Sequence, residues 1–412
     1  MNHIKAFLIY DENGGSVNGS TNGDGLHNCE NTLKYSGLTP QRFINVEFNS
    51  DSTYFTSVIG NNLKIYKTYP LKLMANSYLP ETYIIFKSIL LGRTNLIVLL
   101  LREEKQEPLS LKIPRKAKGY TVKIWDEHQH KIVWESTCEV LDFYVSSESY
   151  LILTTINHEL LVYKFITADK DHSSAIIQIQ IPNIKIRNDV AASVSRNLFT
   201  FSNAKIVGQV QVAKLPDMKS MSIFKAHKNN IRSLAISPNG EYLASCSERG
   251  TLIRIFKLYS GGAQNTIGNT NENYNKGSSN NELGTLLYEF RRGLEIADVY
   301  EIKWSPDSKK IACISDKCTL HIFQLPLLKK ELMKRKKNVF LLTDMCNIKL
   351  SSTIPGDRCK IGWEYPQNDS IKNNSDTFYL IWHKSGLWQK FYIMKDYNDS
   401  KYEIVRENYK LL

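Results

Sequence analysis

The sequence lacks an apolar run long enough to cross a bilayer, and it lacks the short motifs that mark common enzymes. Its most apolar stretch, Tyr83 to Leu101, is interrupted by Lys87, Arg93 and Asn95, whereas a spanning helix needs about 20 apolar residues. It contains no Walker loop, nucleophile elbow, dinucleotide-binding glycine turn or cluster of metal ligands. An enzyme is therefore the least supported class, no cofactor or metal is expected, and any membrane contact should be peripheral.

Cysteine is scarce and carries no recognisable pattern. The 412 residues include 7 cysteines, with no Cys-x-x-Cys pair and no histidine at zinc spacing. The odd count argues against the disulfide framework of a secreted protein. The N-terminal segment MNHIKAFLIYDEN has too short an apolar run for a secretory signal. We therefore expect a reduced, monomeric protein of the cytoplasm.

Positive charge, in contrast, is abundant. The formal net charge is +12 and the pI is near 9.1, which favours an anionic partner such as nucleic acid or a membrane surface. Charge alone does not choose between these two partners.

Short β-rich runs separated by turn residues recur along the whole chain, which indicates an all-β protein. Because a propeller blade takes roughly 40 to 45 residues, the length predicts one seven-bladed WD40-like β-propeller with long loops over residues 1–412. The expected blades run from Phe43 to Tyr66, Tyr83 to Trp134, Leu141 to Ile181, Asp189 to Phe224, Ile231 to Phe256, Val299 to Phe323 and Cys359 to Lys395. Low-complexity insertions are expected at about 11–31, 260–281 and 367–376. We expect an N-terminal strand, Ile4 to Tyr10 or Phe43 to Phe48, to pair with the last blade and close the ring.

The fifth and sixth of these segments are copies of one unit with an arginine pair between them. Aligning the two copies places Ser247 on Ser315, Thr251 on Thr319 and, after a one-residue gap, Arg254 on His321. Phe290-Arg291-Arg292-Gly293 lies between the copies. Adjacent strand residues point to opposite faces, so one arginine can serve a pocket on each side of a single blade. This pattern predicts two anion-binding sites.

The segment from His227 through FRRG to Phe323, about a quarter of the chain, resembles the PROPPIN family, the WIPI-like seven-bladed propellers that bind phosphoinositides. The resemblance implies a first phosphoinositide site at His227, Ser247, Thr251, Arg254 and Arg291, and a second site at Arg292, Ser315, Thr319 and His321. One departure is Cys318, which stands where the first copy has Gly250. If that turn needs a positive φ, a cysteine there carries a cost.

A 3-phosphorylated headgroup suits these residue types, because a guanidinium binds phosphate in a planar bidentate contact and hydroxyls donate to its oxygens. The resemblance implies binding of phosphatidylinositol 3-phosphate, the 3,5-bisphosphate, or both. It also implies recruitment of autophagy or endolysosomal trafficking machinery, such as lipid-transfer proteins, to autophagic, endosomal or vacuolar membranes. The insertion from Glu103 to Lys118 is a candidate partner surface. Two alternatives stay open: the serines and threonines can satisfy turn backbone groups, and His227 can be a structural histidine of the sheet.

A basic amphipathic segment follows the sixth blade, at about 325–357. Such a segment can lie in the membrane interface with its cations near anionic lipids, and the family uses a long loop of this blade for membrane insertion. The expected contact residues are Leu328, Lys329, Lys330, Lys334, Arg335, Lys336, Lys337, Phe340 and Leu341. The alternatives are a solvated basic loop or, for residues 334–337, a nuclear-localisation patch.

The competing class for the whole chain is a WD40-type protein-interaction scaffold with a nonspecific basic face. Such a face would bind any polyanion with a steep dependence on salt. We expect phosphoinositides, and not nucleic acid, as the anionic ligand.

Overall fold

The computed structural model describes residues 45–103, 119–147, 150–167, 174–182, 184, 186, 191–203, 205–258, 283–326, 341–350, 354–365, 376–396 and 401–412. Within these residues the chain forms seven sheets, each built from four antiparallel strands, which are the seven blades of a propeller. The predicted all-β, seven-bladed fold is confirmed. No helix in the described part of the chain is long and apolar enough to span a bilayer.

Each of the first four blades has four strands. The first contains β1 (Asn45–Phe48), β2 (Tyr54–Ile59), β3 (Asn62–Lys67) and β4 (Lys72–Tyr78). The second contains β5 (Tyr83–Leu90), β6 (Leu96–Glu103), β7 (Thr121–Asp126) and β8 (Lys131–Glu135). The third contains β9 (Val140–Val145), β10 (Tyr150–Thr155), β11 (Leu160–Thr167) and β12 (Ser174–Ile179). The fourth contains β13 (Ala192–Ser195), β14 (Leu198–Ser202), β15 (Gln209–Lys214) and β16 (Lys219–Lys225).

The last three blades are built in the same way, except that a short parallel strand joins the outer edge of the fifth. The fifth contains β17 (Ile231–Ile236), β18 (Tyr242–Ser247), β19 (Leu252–Lys257) and β20 (Leu286–Arg291), with β24 (Leu341–Leu342) beside β20. The sixth contains β21 (Val299–Trp304), β22 (Lys310–Ser315), β23 (Thr319–Gln324) and β25 (Cys346–Lys349). The seventh contains β26 (Cys359–Trp363), β27 (Thr377–Trp382), β28 (Leu387–Lys395) and β29 (Tyr402–Leu411).

The buried faces of neighbouring blades form the core. Between the fifth and sixth blades, Ile253 and Phe290 pack with Trp304, Cys313 and Phe323. Strand side chains alternate between the two faces of a sheet, so a blade buried on both sides reads as a nearly continuous apolar run. This packing fixes which side of a blade each polar residue must take.

One of the two strands expected to close the ring belongs to the first blade. Four consecutive C-terminal strands make the seventh blade, and β1 is the first strand of the first blade. Phe43 to Phe48 therefore does not pair with the last blade, while Ile4 to Tyr10 lies outside the described residues. Packing joins the two blades instead: Lys360 Nζ lies 2.9 Å from Glu47 Oε1. A Cβ on Gly362 would lie 2.7 Å from the Phe48 ring, so only glycine permits this close approach.

Several predicted loops fall outside the described residues. These are the insertions at 11–31 and 260–281, all of 367–376 except Asp376, and 104–118 of the candidate partner surface. The same holds for eight of the nine proposed membrane-contact residues, namely Leu328, Lys329, Lys330, Lys334, Arg335, Lys336, Lys337 and Phe340. The ninth, Leu341, begins β24, and the later part of the 325–357 segment supplies β25, the outer strand of the sixth blade.

Candidate anion sites on the fifth and sixth blades

The two matched turns share one backbone conformation. Gly250 and Cys318 both have a positive φ, of 65° and 51°, and their amides donate to the carbonyls of Ser247 and Ser315 at 2.9 Å. A Cβ on Gly250 would lie 1.9 Å from the carbonyl oxygen of Ala297. The turn therefore does need a left-handed residue, and the sixth blade meets that need with a cysteine.

Strand register places Arg291 and Arg292 on opposite sides of the fifth blade. Arg254 pairs with Glu289 across β19 and β20, and Arg291, two residues further along β20, takes the same face. Arg292 takes the other face with Phe290, whose ring packs against the sixth blade. Arg291 thus belongs to the junction of blades four and five, and Arg292 to the junction of blades five and six.

At the first junction, Arg254 already has partners. Its Nε and Nη2 lie 2.9 Å from Glu289 Oε1, and its Nη1 donates to the carbonyl of Ala226 at 2.7 Å. The Arg291 side chain is half-buried and makes no hydrogen bond or ion pair with the residues that the structure describes. Arg291 is consequently the cation that this junction can offer to a ligand.

The other predicted residues of the first site are neutral. His227 is buried, and its Nε2 lies 2.9 Å from Ser245 Oγ. Burial, and then the positive charge of Arg254, lower the pKa of His227 to about 4, so the ring is uncharged at neutral pH. This contact within the blade is the one expected of a structural histidine. The hydroxyls of Ser247 and Thr251 make no hydrogen bond with described residues, which leaves both as donors.

At the second junction, Arg292 has a structural role. It is 6% exposed, and it donates from Nε to the carbonyl of Gly250 at 2.5 Å and from Nη2 to that of Glu295 at 2.7 Å. An arginine has five N–H donors, so three remain for a ligand. Arg292 ties the β18–β19 turn to the linker between the two blades.

The imidazole of the second site is paired with a carboxylate. His321 Nδ1 lies 2.8 Å from Asp344 Oδ2, which also accepts from Asn347 at 2.7 Å. Burial disfavours the charge of Asp344, but these hydrogen bonds outweigh burial and hold the pKa of its carboxyl below the usual value. Ser315 is fully buried, and Thr319 Oγ1 makes only a long contact of 3.4 Å with the Lys317 carbonyl.

Lys349 is a residue that the sequence analysis missed. It lies two residues beyond Asn347, the cross-strand partner of His321 on β23. Arg291 likewise lies two residues beyond Glu289, the cross-strand partner of Arg254 on β19. Lys349 Nζ donates to the carbonyl of Lys317 at 2.6 Å, and the residue is exposed. Lys349 is therefore the counterpart of Arg291 in the sixth blade. A basic residue at the end of each outer strand is the signal, and the long insertion before β25 hides it from the repeat alignment.

A family model for the WD domain, G-beta repeat, matches residues 218–255, which include all but the last residue of the first of the two copies. SVP1-like protein 2 of Saccharomyces cerevisiae is 27% identical over 87% of this chain and 88% of its own length. Autophagy-related protein 21 of Vanderwaltozyma polyspora is 33% identical, over 39% of this chain and 34% of its own length.

Solved structures extend the likeness to the fold. Kluyveromyces lactis Hsv2 has a TM-score of 0.66 and 22% identity, and covers 90% of this chain and 98% of its own. The predicted resemblance to the PROPPIN family is confirmed. A complex of KlAtg21 with the coiled coil of AgAtg16 has a TM-score of 0.62 and 20% identity, covering 90% of this chain and all of that one. The likeness to PROPPIN propellers thus covers most of the chain, far beyond the FRRG region.

Proposed function

We propose that the chain is a phosphoinositide effector that binds phosphatidylinositol 3-phosphate, the 3,5-bisphosphate, or both, through the two junctions beside FRRG. The observation that carries this proposal is the placement of adjacent arginines on opposite faces of one blade, between two copies of the same serine and threonine turn in the sequence. The resemblance to PROPPIN propellers supports the same function.

At the first junction, the headgroup phosphate would contact the guanidinium of Arg291 and the hydroxyls of Ser247 and Thr251. A guanidinium and two hydroxyls offer the planar and single donors that phosphate oxygens accept. Arg254 and His227 would shape the pocket, because both already have partners within the protein.

At the second junction, the phosphate would contact the ammonium of Lys349 and the remaining donors of Arg292, with Thr319 beside them. Ser315 and His321 would support this site from beneath, since both are buried. Two weak headgroup contacts on one rigid propeller raise the overall affinity, because the second binds at a high effective concentration once the first has formed. The basic segment after the sixth blade would add a third contact.

The chain would then recruit a protein of the autophagy machinery to autophagic, endosomal or vacuolar membranes. The solved complex of KlAtg21 with the coiled coil of AgAtg16 supports a protein partner of this kind. The propeller would act by binding and not by catalysis, as the family does.

Co-sedimentation with vesicles tests this function. Vesicles carrying phosphatidylinositol 3-phosphate or the 3,5-bisphosphate should retain the wild type at fixed salt, whereas vesicles carrying the 4-phosphate should retain far less. Arg291→Ala should weaken binding at least about tenfold, as expected for the loss of a charged contact of about 1.4 kcal/mol or more. Equal binding to every anionic vesicle would instead favour the basic scaffold and contradict the proposal.

A further inference from the structure

The linker from the fifth blade to the sixth presents apolar side chains to solvent. Leu294 is 82% exposed, more than any other large apolar side chain in the described part of the chain, and Ile296 is 64% exposed. Single apolar residues on a surface are ordinary. This pair is unusual in its position, because it begins two residues after Arg292 and lies between the two candidate sites.

The linker is held in place and does not merely extend into solvent. Arg292 donates to the carbonyl of Glu295 at 2.7 Å, and the amide of Ala297 donates to the carbonyl of Arg249 at 3.2 Å. Ala297 itself is 2% exposed. The backbone is therefore fixed on both sides of Ile296, and side chains presented in this way lose little further freedom on binding.

Cations surround the pair. Arg249 is exposed on the turn that contacts the linker, and Lys349 reaches the carbonyl of the exposed Lys317. The linker's own carboxylate, Glu295, lies 3.7 Å from Lys317 Nζ at a solvent-exposed position, where an ion pair contributes little.

The neighbouring carboxylates are engaged within the protein. Glu248 accepts from Asn230 at 3.0 Å, and Asp298 is bound by two nitrogens of Arg232. Asp316 accepts from the amide of Asp298 at 3.0 Å. Of these three carboxylates only Asp298 is paired with a cation, so an approaching surface would meet the apolar pair with the cations and the remaining carboxylates around it.

We infer that Leu294 and Ile296 form an apolar anchor that enters the interface of an anionic phospholipid membrane between the two headgroup sites. Two side chains are too few for a stable protein interface, which buries more than about 1,000 Å². A bilayer needs only that apolar side chains reach the boundary between headgroups and acyl chains while cations face the lipid phosphates. This inference rests on the proposed function, because the headgroup sites hold the linker at the membrane.

The anchor is tested with Leu294→Ser/Ile296→Ser, and the matched control is Leu73→Ser/Met74→Ser on β4, where the side chains are 46% and 49% exposed. The anchor variant should bind vesicles of phosphatidylcholine, phosphatidylserine and phosphatidylinositol 3-phosphate about 10-fold more weakly than wild type. The control should bind like wild type. Both variants should bind soluble dibutanoyl phosphatidylinositol 3-phosphate normally, since the headgroup sites are intact.

A second readout follows the linker itself. An environment-sensitive nitrobenzoxadiazole dye attached through Leu294→Cys should shift its emission to the blue on these vesicles, because the dye enters an apolar phase. An unshifted emission together with an unchanged vesicle affinity of Leu294→Ser/Ile296→Ser would overturn the membrane anchor. Leu294 and Ile296 would then be assigned to a protein contact. Absence of soluble headgroup binding in the wild type, with the dye still shifting on phosphatidylserine vesicles, would overturn the proposed function and retain the anchor.

Discussion

The junction of blades four and five and the junction of blades five and six carry one sequence pattern but differ in where their charge is available. At the first, Arg254 is neutralised by Glu289, and the side chain of Arg291 makes no hydrogen bond or ion pair with described residues. The guanidinium that has no partner among the described residues is therefore separate from the basic residue that aligns between the copies.

At the second junction, Asp344 engages the aligned His321, and two backbone carbonyls engage Arg292. The exposed ammonium of Lys349 occupies the place that Arg291 holds in the fifth blade. The comparison teaches that the aligned basic residues are engaged within the fold, whereas the basic residues at the ends of the outer strands pair with no carboxylate of the described residues. Under the proposed function, these are the cations that bind the ligand.

The largest expected difference is in stability between the two adjacent arginines. Arg292→Met should lower the free energy of unfolding by about 2–4 kcal/mol, because it removes two charge-assisted hydrogen bonds and leaves two carbonyls without partners. Arg291→Met should change it by less than about 0.5 kcal/mol. Urea unfolding of both variants measures this difference, and equal losses would contradict the separate roles.

Both matched turns should be more stable with glycine than with a larger residue at the left-handed position. Gly250→Ala should destabilise by about 2–3 kcal/mol, because its Cβ would collide with the Ala297 carbonyl and the backbone is left-handed. Cys318→Gly should instead raise the free energy of unfolding by up to about 1 kcal/mol, because glycine has no Cβ to disfavour the left-handed backbone conformation. Thermal unfolding checks both changes, and a neutral Gly250→Ala would refute the close approach.

Acid should destabilise the first junction through His227. The pKa of His227 is about 4 in the fold against an ordinary 6.5. Below pH 6.5 the unfolded chain takes up a proton that the folded chain does not accept until near pH 4. The neutral ring therefore stabilises the fold fully above pH 6.5, and this stabilisation is lost as the pH falls to 4. At pH 5 the free energy of unfolding should be lower by about 2 kcal/mol than at neutral pH.

Urea unfolding at pH 7.4 and pH 5 should therefore show a smaller loss for His227→Gln than for wild type. Some loss should persist in the variant, because burial also lowers the pKa of His383 to about 4. Identical losses in the two proteins would show that His227 is not held neutral.

The smallest expected effect concerns the carboxylate beside the first junction. Glu289→Gln removes the negative charge that faces Arg254, so affinity for vesicles carrying phosphatidylinositol 3-phosphate should rise about threefold at low salt. Glu407→Gln, which unpairs Lys390 on the seventh blade, makes the same charge change far from the site and serves as the control. Equal gains in affinity for both variants would show that the effect comes from net charge alone and not from the charge beside Arg254.

The sequence predicted what depends on repetition and alternation. Seven blades, the matched turns and the opposite faces of Arg291 and Arg292 all follow from short-range periodicity. Lys349 was missed because an insertion separates β23 from β25, so alignment of the copies ends before the outer strand. Arg254 pairs with Glu289, and His321 pairs with Asp344, only because segments that are distant in sequence meet in one register. No local sequence pattern encodes that register. The alternative in which Phe43 to Phe48 closes the ring was wrong for the same reason, because β1 pairs within the first blade.

Isothermal titration with soluble dibutanoyl phosphatidylinositol 3-phosphate tests the central claim most directly, because it counts sites without a membrane. The account predicts two bound headgroups per wild-type chain, and one per chain in Arg291→Ala and in Lys349→Ala, each checked for native stability. An unchanged count in both variants, or one bound headgroup in the wild type, would contradict a separate ligand site at each junction.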